Sequence, residues 1–251
     1  MSGAENRVAI VTGGSRGIGR AVALLLAERG YTVCLSYVSD AVAAQDVVDA
    51  IAAQGGHALA VKGDVGDEAD VIALFKAADG LGRLAALVNN AGVVDVKSDV
   101  ADMSVTRLQR MMTTNVVGSF LCAREAVRRM STKRGGAGGA IVNLSSVAAR
   151  LGGPGQFVDY AASKGAIDSL TVGLAREVAA EGIRVNAVAP GIIATEIHAS
   201  GGEPDRVERL GPGVPMKRAG TAEEVAAPIV WLLSEEASYT TGAILDIGGG
   251  R

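Results

Sequence analysis

The chain has 251 residues, 49% of them apolar and 20% charged, which is enough apolar material to bury a core and excludes a disordered segment. Its formal charge of -3 shows no basic excess and argues against nucleic acid as a partner. No apolar run reaches the ~18 residues of a membrane span, and Met1–Arg7 lacks the apolar centre of a signal peptide, so we expect a cytoplasmic protein without a membrane partner.

Strand-like apolar runs alternate with helix-like segments along the whole chain. Strands are predicted at residues 8–11, 31–37, 58–63, 84–89, 140–145, 183–188 and 243–247. Helices are predicted at residues 20–30, 41–54, 68–78, 106–130, 160–182 and 221–234. This alternation, at intervals of ~25–30 residues, is typical of a Rossmann-type α/β fold with a doubly wound parallel sheet in three layers. No linker-like stretch interrupts it, so residues 1–251 are predicted to form a single domain.

The cysteines and histidines indicate neither a disulfide nor a metal site. Cys34 lies in an apolar strand-like run and Cys122 in a helix-like segment, which favours buried small side chains and suits a reducing compartment. His57 and His198 are far apart in the sequence and have no cluster of metal-ligating residues near them. No metal is therefore expected.

The segment Thr12–Gly19 (TGGSRGIG) connects the first strand to the first helix, and four of its residues are glycine. Glycine lets the backbone approach a ligand closely, while a helix N-terminus directs N–H groups and a partial positive charge at an anion. The segment predicts a cradle for the diphosphate of a dinucleotide, with an ordinary strand-to-helix turn as the alternative.

Small and polar residues also follow the other predicted strands. In sheets of this kind, ligands bind beyond the carboxyl ends of the strands, near the point where the strand order reverses. The residues at those ends are Ser36–Ser39, Asp64–Val65, Asn89–Gly92, Ser145–Ser146 and Pro190–Gly191. Their accumulation along one edge predicts a binding cleft there.

Two features bear on the choice between NADH and NADPH. An acidic residue at the end of the second strand normally selects NADH through the ribose 2′-hydroxyl, but Ser36 and Tyr37 stand there. Arg16, in the glycine turn, carries a guanidinium that can pair with a 2′-phosphate. The pattern favours NADPH, and the alternative is that Arg16 is only solvated. Asp64 either accepts a hydrogen bond from the adenine amino group or caps the third helix.

Tyr160 and Lys164 lie four residues apart at the start of a predicted helix, so they share one face. A nearby ammonium favours the phenolate and lowers the pKa of the phenol from its usual value of about 10, toward the range of a useful acid or base. The alternative is an exposed Tyr and Lys on a common surface. A serine at a strand end favours the catalytic interpretation; Ser145 and Ser146 are both candidates, and we prefer Ser146.

In order and spacing, these motifs resemble the short-chain dehydrogenase/reductase family, and the resemblance runs nearly from end to end. The residues that carry it are Thr12–Gly19, Asp64, Asn89–Gly92, Asn115, Ser145–Ser146, Tyr160, Lys164 and Pro190–Gly191. It implies hydride transfer between a nicotinamide cofactor and a carbonyl or secondary alcohol of ketone, sugar or 3-oxoacyl type. Because negative charge then grows on the carbonyl oxygen, the protein has to supply hydrogen-bond donors and a proton.

The resemblance also implies a role for each site residue. Tyr160 is the general acid/base, Ser146 hydrogen-bonds the substrate oxygen, and Lys164 holds the nicotinamide ribose and lowers the pKa of the tyrosine. Asn115 positions a water that links Lys164 to solvent. The cofactor, NADP or less favourably NAD, also contacts Gly13, Ser15, Arg16, Gly17, Ile18, Gly19, Tyr37, Asp64, Val65, Asn90, Ala91, Gly92, Pro190, Gly191, Ile193 and Thr195.

Two segments are expected to enclose the substrate. Residues 192–213 are polar and glycine-rich, which predicts a mobile lid with a short helix. The other wall is expected from Arg150, Leu151, Gln156, Phe157 and Val158, and no cluster of Arg or Lys in these segments demands an anionic substrate. In the family, many reductases of acyl carrier protein thioesters carry a basic residue near the position of Glu181, which counts against that partner.

Three functions remain open on the sequence alone. The first is an NADPH-dependent carbonyl reductase or alcohol dehydrogenase, and the second is a non-catalytic NAD(P)-sensing protein on the same fold. The third, a sugar-nucleotide epimerase of the extended type, is disfavoured because the expected extra C-terminal domain is absent from this sequence. By resemblance, the helices at 106–130 and 160–181 and the segment 244–249 form the interfaces of a homotetramer.

Overall fold

The computed structural model describes residues 6–251 except the side chain of His198, and this range contains one sheet of seven strands. Every neighbouring pair is parallel, and the order is β3-β2-β1-β4-β5-β6-β7. The bounds are β1 Arg7–Val11, β2 Thr32–Tyr37, β3 Ala58–Lys62, β4 Arg83–Asn89, β5 Gly139–Leu144, β6 Ile183–Pro190 and β7 Ile244–Ile247. The predicted parallel sheet is confirmed. Residues 1–5, which belong to the segment considered as a signal peptide, lie outside the described residues.

The helices fill the connections between the strands. Their bounds are α1 Gly17–Glu28, α2 Ala41–Ala53, α3 Glu68–Asp79, α4 Val105–Met112, α5 Gly118–Met130, α6 Ala148–Leu151, α7 Val158–Val178, α8 Ile197–Ser200, α9 Arg206–Leu210 and α10 Ala222–Leu233. The sequence patterns did not predict α6, and they predicted one short helix where α8 and α9 both occur. Within residues 6–251, no helix combines the length and the apolarity needed to cross a membrane.

Alternate residues of each strand point to opposite faces of the sheet, and helices cover both faces. On β1, Ala9 and Val11 belong to the core that includes residues of α1, α2 and α10, whereas Val8 and Ile10 belong to the core beneath α3, α5 and α7. All four side chains are fully buried. A strand buried on both faces reads as a continuous apolar run, which explains why the strands could be located without alternation. The predicted three-layer arrangement is confirmed.

Several helices begin at a side chain that satisfies free N–H groups. Asp40, Asp67, Ser104 and Thr221 are the N-cap residues of α2, α3, α4 and α10, and each accepts a backbone hydrogen bond. Asp67 therefore caps the third helix, as its sequence predicts with Gly66 as the other candidate, whereas Asp64 does not cap it.

A π-helical turn, Thr113–Val117, joins α4 to α5 without a break in the helical backbone, so the long helix predicted at 106–130 is confirmed, with one wider turn that the sequence did not predict. Asn115 lies at its centre and is 1% exposed. Its Oδ1 accepts from the Val93 N–H at 2.8 Å, and its Nδ2 donates to the Val93 carbonyl at 3.0 Å. These two hydrogen bonds fix the loop after β4 against the turn. Turns of this type often occur at functional sites.

The strand order reverses between β1 and β4, which are neighbours in the sheet but not in the sequence. The loops that leave these two strands therefore diverge to opposite sides, and a crevice opens between them at the carboxyl edge. The first loop leads into the glycine turn and the second into Asn90–Gly92. The fold thus brings two of the predicted motifs to one place.

Candidate active site

Glycines shape the loop between β1 and α1. Gly13 and Gly17 have φ angles of +62° and +52°, in the left-handed region that favours glycine. A Cβ on Gly19 would lie 2.3 Å from the carbonyl oxygen of Gly13, closer than atoms can approach. Asn90 Nδ2 donates to the carbonyls of Thr12 and Gly13 at 2.8 and 2.9 Å, which ties the turn to the end of β4.

The N-terminus of α1 opens toward this loop. Arg16 is the N-cap residue, its side chain forms no capping hydrogen bond, and the first turn of the helix contains no acidic residue. The free N–H groups and the positive end of the helix dipole therefore lie at this loop, where a Cβ on Gly17 would come within 3.4 Å of the side chains of Thr195 and Glu196. The segment Ser15–Gly19, including Ile18, fits the diphosphate of a dinucleotide, and Ile18 also lines the cavity described below.

The end of β2 carries no free carboxylate. Ser36 Oγ accepts from the Gly13 N–H at 3.1 Å and so belongs to the turn itself. Tyr37 is half-buried and pairs in register with Lys62 of β3. The next acidic residue, Asp40, is engaged at the start of α2. Ser36 therefore joins the end of β2 to the glycine turn, on which Arg16 is exposed.

Asp64 and Val65 follow β3 and have different environments. Asp64 is exposed, and its Oδ1 accepts from the Gly66 N–H at 2.8 Å. Val65 is 6% exposed, and α5 approaches it so closely that a Cβ on Gly118 would lie 2.7 Å from its Cγ2. The loop after β3 is thus held at the carboxyl edge of the sheet, with the Asp64 carboxylate at the surface.

The loop after β4 brings the turn and the helical residues together. Thr12 Oγ1 accepts from the N–H groups of Asn90 and Ala91, both at 3.0 Å. A Cβ on Gly92 would lie 3.4 Å from Asn115 Oδ1 and 3.6 Å from Lys164 Nζ. The absence of a side chain at Gly92 therefore leaves room beside the lysine. Asn115 itself lies behind this loop and is not part of the cavity wall.

A cavity of about 500 Å³ opens along the carboxyl edge of the sheet, and Ser146, Tyr160 and Lys164 all line it. Other predicted site residues in its wall are Ile18, Asn90, Gly92, Ser145, Pro190, Gly191, Ile193 and Thr195. The loop after β6 is held by a bridge between Ile193 and Gly220. Residues as far apart in the sequence as Ile18 and Thr195 thus face one cavity.

Burial raises the pKa of the Tyr160 phenol above its ordinary value, while its hydrogen bond with the Ser146 side chain acts in the opposite direction. The predicted lowering of this pKa by Lys164 is therefore wrong for this structure. The Lys164 Nζ lies 5.6 Å from the centroid of the tyrosine ring and donates to the Leu144 carbonyl at 2.7 Å. The phenol is protonated at neutral pH in this arrangement.

Lys164 is 5% exposed, and burial lowers its pKa to about 8, with the nearby charge of Asp168 acting to raise it. Ser145 Oγ donates to the Lys164 carbonyl at 3.4 Å, so this serine contacts the helix backbone, whereas Ser146 contacts Tyr160. The structure thus separates the environments of the two candidate serines.

The first turn of α7, which carries Tyr160, is anchored from behind. Asp159 has a fully buried side chain and accepts two hydrogen bonds from Arg107 of α4, at 2.7 and 3.2 Å. Arg107 also donates to the Val96 carbonyl at 2.6 Å. Ser163 Oγ accepts from Asn115 Nδ2 at 3.0 Å. These contacts hold α7 against α4, the π-helical turn and the loop after β4.

Known proteins with similar sequences and structures identify the family. A family model described as enoyl-(acyl carrier protein) reductase matches residues 13–251. The uncharacterized oxidoreductase YgfF of Escherichia coli (strain K12) is 59% identical over 245 residues, which cover 97% of this chain and 99% of that protein. A solved short-chain dehydrogenase/reductase from Serratia marcescens BCRC 10948 is 37% identical, with a TM-score of 0.89 and 97% of each chain covered. The chain belongs to the short-chain dehydrogenase/reductase family.

Another solved structure adds a ligand to this comparison. The blue fluorescent protein from a metagenomic library, in complex with NADPH, is 34% identical to this chain, with a TM-score of 0.88 and 97% of each chain covered. This member of the short-chain dehydrogenase/reductase family is therefore an oxidoreductase on a Rossmann-type fold, and one solved structure similar to it holds NADPH.

The substrate side of the cavity differs from the sequence prediction. Leu151, Gln156 and Phe157 line it, but Arg150 and Val158 do not. Arg150 instead pairs with Asp246 of β7 at 2.6 Å. Arginines do reach the wall, although the prediction was that no such cluster occurs: Arg206 and Arg209 of α9 line the cavity together with Glu203. Arg206 and Arg209 are far from Tyr160 in the sequence, and the fold places all three on the wall of one cavity.

Proposed function

We propose that the chain reduces a carbonyl compound to an alcohol with NADPH. The observation that carries this proposal is the common cavity of Ser146, Tyr160 and Lys164, which adjoins the glycine turn at the N-terminus of α1. NADPH, when bound, supplies the hydride. The protein then has to orient the carbonyl, stabilise the charge that grows on its oxygen and deliver a proton.

Each of these tasks can be assigned to a residue of the site. Ser146 and Tyr160 both present hydroxyl groups to the cavity, and two donors at one oxygen stabilise developing negative charge. Tyr160 gives up its proton to that oxygen as the general acid. Lys164, protonated at neutral pH because its lowered pKa is still about 8, favours the phenolate left behind and can hydrogen-bond the nicotinamide ribose. Asn115 would order water behind Lys164 and so connect it to solvent.

Burial raises the pKa of the Tyr160 phenol, and the protonated phenol is the form that acts as general acid in carbonyl reduction. The same group as phenolate would be the base of the reverse reaction, so this shift does not select a direction.

The preference for NADPH rests on the corner formed by Arg16 and the end of β2. Arg16 is exposed on the glycine turn, Lys62 stands beside Tyr37, and Asp40 is engaged as a helix cap. A 2′-phosphate at this turn would have the Arg16 guanidinium as its partner. Phosphate pairs strongly with guanidinium, which is why we expect Arg16 to contribute most of the selectivity.

Arg16→Ala is therefore expected to weaken NADPH binding by at least about 10-fold and to change NADH binding by less than about 2-fold, since only NADPH loses a charge-assisted hydrogen bond. Fluorescence titration with both cofactors measures this difference. Arg29→Ala, at the other end of α1, is the matched control and should leave both affinities unchanged. Equal losses for the two cofactors would reject the phosphate role.

The proposal is tested by the oxidation of NADPH at 340 nm in the presence of ketones, quinones, sugars or acyl thioesters. We expect turnover with at least one of these classes. The alternative is a non-catalytic protein that senses NAD(P) on the same fold. Such a protein would bind NADPH in the titration and oxidise none with any member of the panel, and that result would reject the enzymatic proposal.

We propose a homotetramer as the assembly and the cytoplasm as the location. Val105, Leu108, Met112, Val117 and Phe120 leave exposed apolar surface along α4, the π-helical turn and α5. Trp231 and Leu245 are exposed near the other proposed interface. Light scattering is expected to give four times the chain mass of 25.3 kDa, and a monomer mass would reject the assembly. The cytoplasmic location agrees with the free, buried state of Cys34 and Cys122.

A further inference from the structure

Three basic side chains converge on one carboxylate at the wall of the cavity. Lys97, from the loop after β4, lies 2.5 Å from Glu203 Oε1. Arg206 and Arg209 of α9 also pair with the Glu203 carboxylate. The only other acid in the cluster among the described residues is the exposed Asp205, whose Oδ2 is 3.6 Å from Arg209 Nε. The cluster thus carries three positive and two negative charges, and one positive charge remains uncompensated.

Arg206 is the most enclosed of these cations, with 14% of its side chain exposed. Its Nη1 donates to Gln156 Oε1 at 3.1 Å as well as to Glu203, and its Cζ lies 5.1 Å from the centroid of the Phe157 ring. These contacts fix the plane of the guanidinium against the cavity wall. Among the described residues, Nε and Nη2 have no hydrogen-bond partner, so donors remain for a ligand.

The guanidinium lines the same cavity as the reacting centre. Phe157, on whose ring the guanidinium packs, is the N-cap residue of α7, and Tyr160 follows in the first turn of that helix. Apolar side chains, among them Val147, Leu151 and Ile192, also line this cavity. A ligand that fills the cavity with its carbonyl at Tyr160 would therefore also meet Arg206.

We propose that Arg206 is a specificity-determining residue that binds an anionic group, so that the substrate of this site is a short carbonyl compound bearing a carboxylate or a phosphate. The inference rests on the proposed carbonyl reduction. A carboxylate and a phosphate each present two oxygens that can accept a pair of hydrogen bonds from one guanidinium.

Matched pairs of substrates that differ in charge test this role. The probes are acetoacetate with its methyl ester and dihydroxyacetone phosphate with dihydroxyacetone. We expect the protein to reduce the anionic member of at least one pair with a KM at least about 10-fold below that of the neutral member. One charge-assisted hydrogen bond is strong enough to account for a difference of this size. The pair that shows this difference identifies the anion as carboxylate or phosphate.

Arg206→Met is expected to raise the KM of the anionic probe by about 10-fold or more, while kcat and the KM of the neutral probe change by less than about 2-fold. Arg206→Lys keeps the charge and the pair with Glu203, and should retain most of the preference. Arg150→Met is the control, because Arg150 pairs with Asp246 outside the cavity. Thermal unfolding of each variant verifies that the fold is retained.

Two results would overturn the inference: equal KM values within both pairs, or an equal rise for anionic and neutral probes in Arg206→Met, which would indicate that Arg206 only holds the lid. Calorimetric titration of the anionic probes into the protein with NADP⁺ gives a decision independent of turnover. Binding that Arg206→Met abolishes supports the anion site, and no binding rejects it. If none of these probes is reduced, the calorimetric titration decides the anion site, and the broader substrate panel described above decides the proposed function.

Discussion

Tyr160→Phe is expected to lower the rate of carbonyl reduction about 10³-fold, because it removes the proton that the developing alkoxide receives. Binding of NADPH should change by less than about 2-fold, since the proposed diphosphate and 2′-phosphate contacts lie in the glycine turn and at Arg16. The ring keeps its packing, so the fold is expected to remain. Single-turnover kinetics with saturating cofactor separate the chemical step from binding.

Tyr239→Phe serves as the matched control, because it removes the same hydroxyl from a fully exposed position. It should retain the full rate. Activity of Tyr160→Phe near that of the unmodified protein would exclude Tyr160 as the proton donor. Loss of NADPH binding in the same variant would mean that the residue supports the cofactor site instead, and that the lost rate carries no information about proton transfer.

The sheet could be predicted from the sequence because its strands are short, rich in apolar residues and separated by helical segments. Val8–Val11 is buried on both faces of the sheet. An apolar run of this length is too short for a typical helix and therefore predicts a buried strand. The π-helical turn at Thr113–Val117 could not be predicted in this way. It contains neither proline nor glycine, and what favours it is the set of hydrogen bonds from Asn115 to Val93, a partner twenty-two positions away.

The site was predictable where its chemistry is local in the sequence. The glycine turn and the pair of Tyr160 and Lys164 are short patterns whose geometry follows from one turn or one helix. The cationic cluster has no such pattern, because Lys97 and Glu203 meet only when the lid segment folds over the loop after β4. Arg206 therefore looked like one of many surface residues in a polar loop.

The sign of the tyrosine pKa shift illustrates a second limit. The spacing of Tyr160 and Lys164 predicts a lowered value, since a helix places the ammonium on the same face. In the folded chain both groups are desolvated, and the Lys164 ammonium donates to the Leu144 carbonyl. Burial is a property of the whole fold and competes directly with the charge, so a local pattern cannot give the sign.

Gly19→Ala is expected to weaken NADPH binding at least about 100-fold, which corresponds to the loss of about two hydrogen bonds to a charged group. The added Cβ would lie 2.3 Å from the Gly13 carbonyl oxygen and 2.5 Å from Asn90 Nδ2, so the turn has to move. This movement breaks the hydrogen bonds that Asn90 donates to the glycine turn, and it reorients the N–H groups that we propose bind the diphosphate. Titration with NADPH and with NADH measures both affinities.

Gly80→Ala is the matched control, because the same methyl group at the end of α3 meets nothing closer than 3.4 Å. It should leave both affinities unchanged. Unlike Arg16→Ala, Gly19→Ala should weaken NADPH and NADH equally, since both cofactors contain the diphosphate. If Gly19→Ala bound both cofactors normally while keeping its fold, the glycine turn would not be the diphosphate site, and the position of the nicotinamide beside Tyr160 would lose its support.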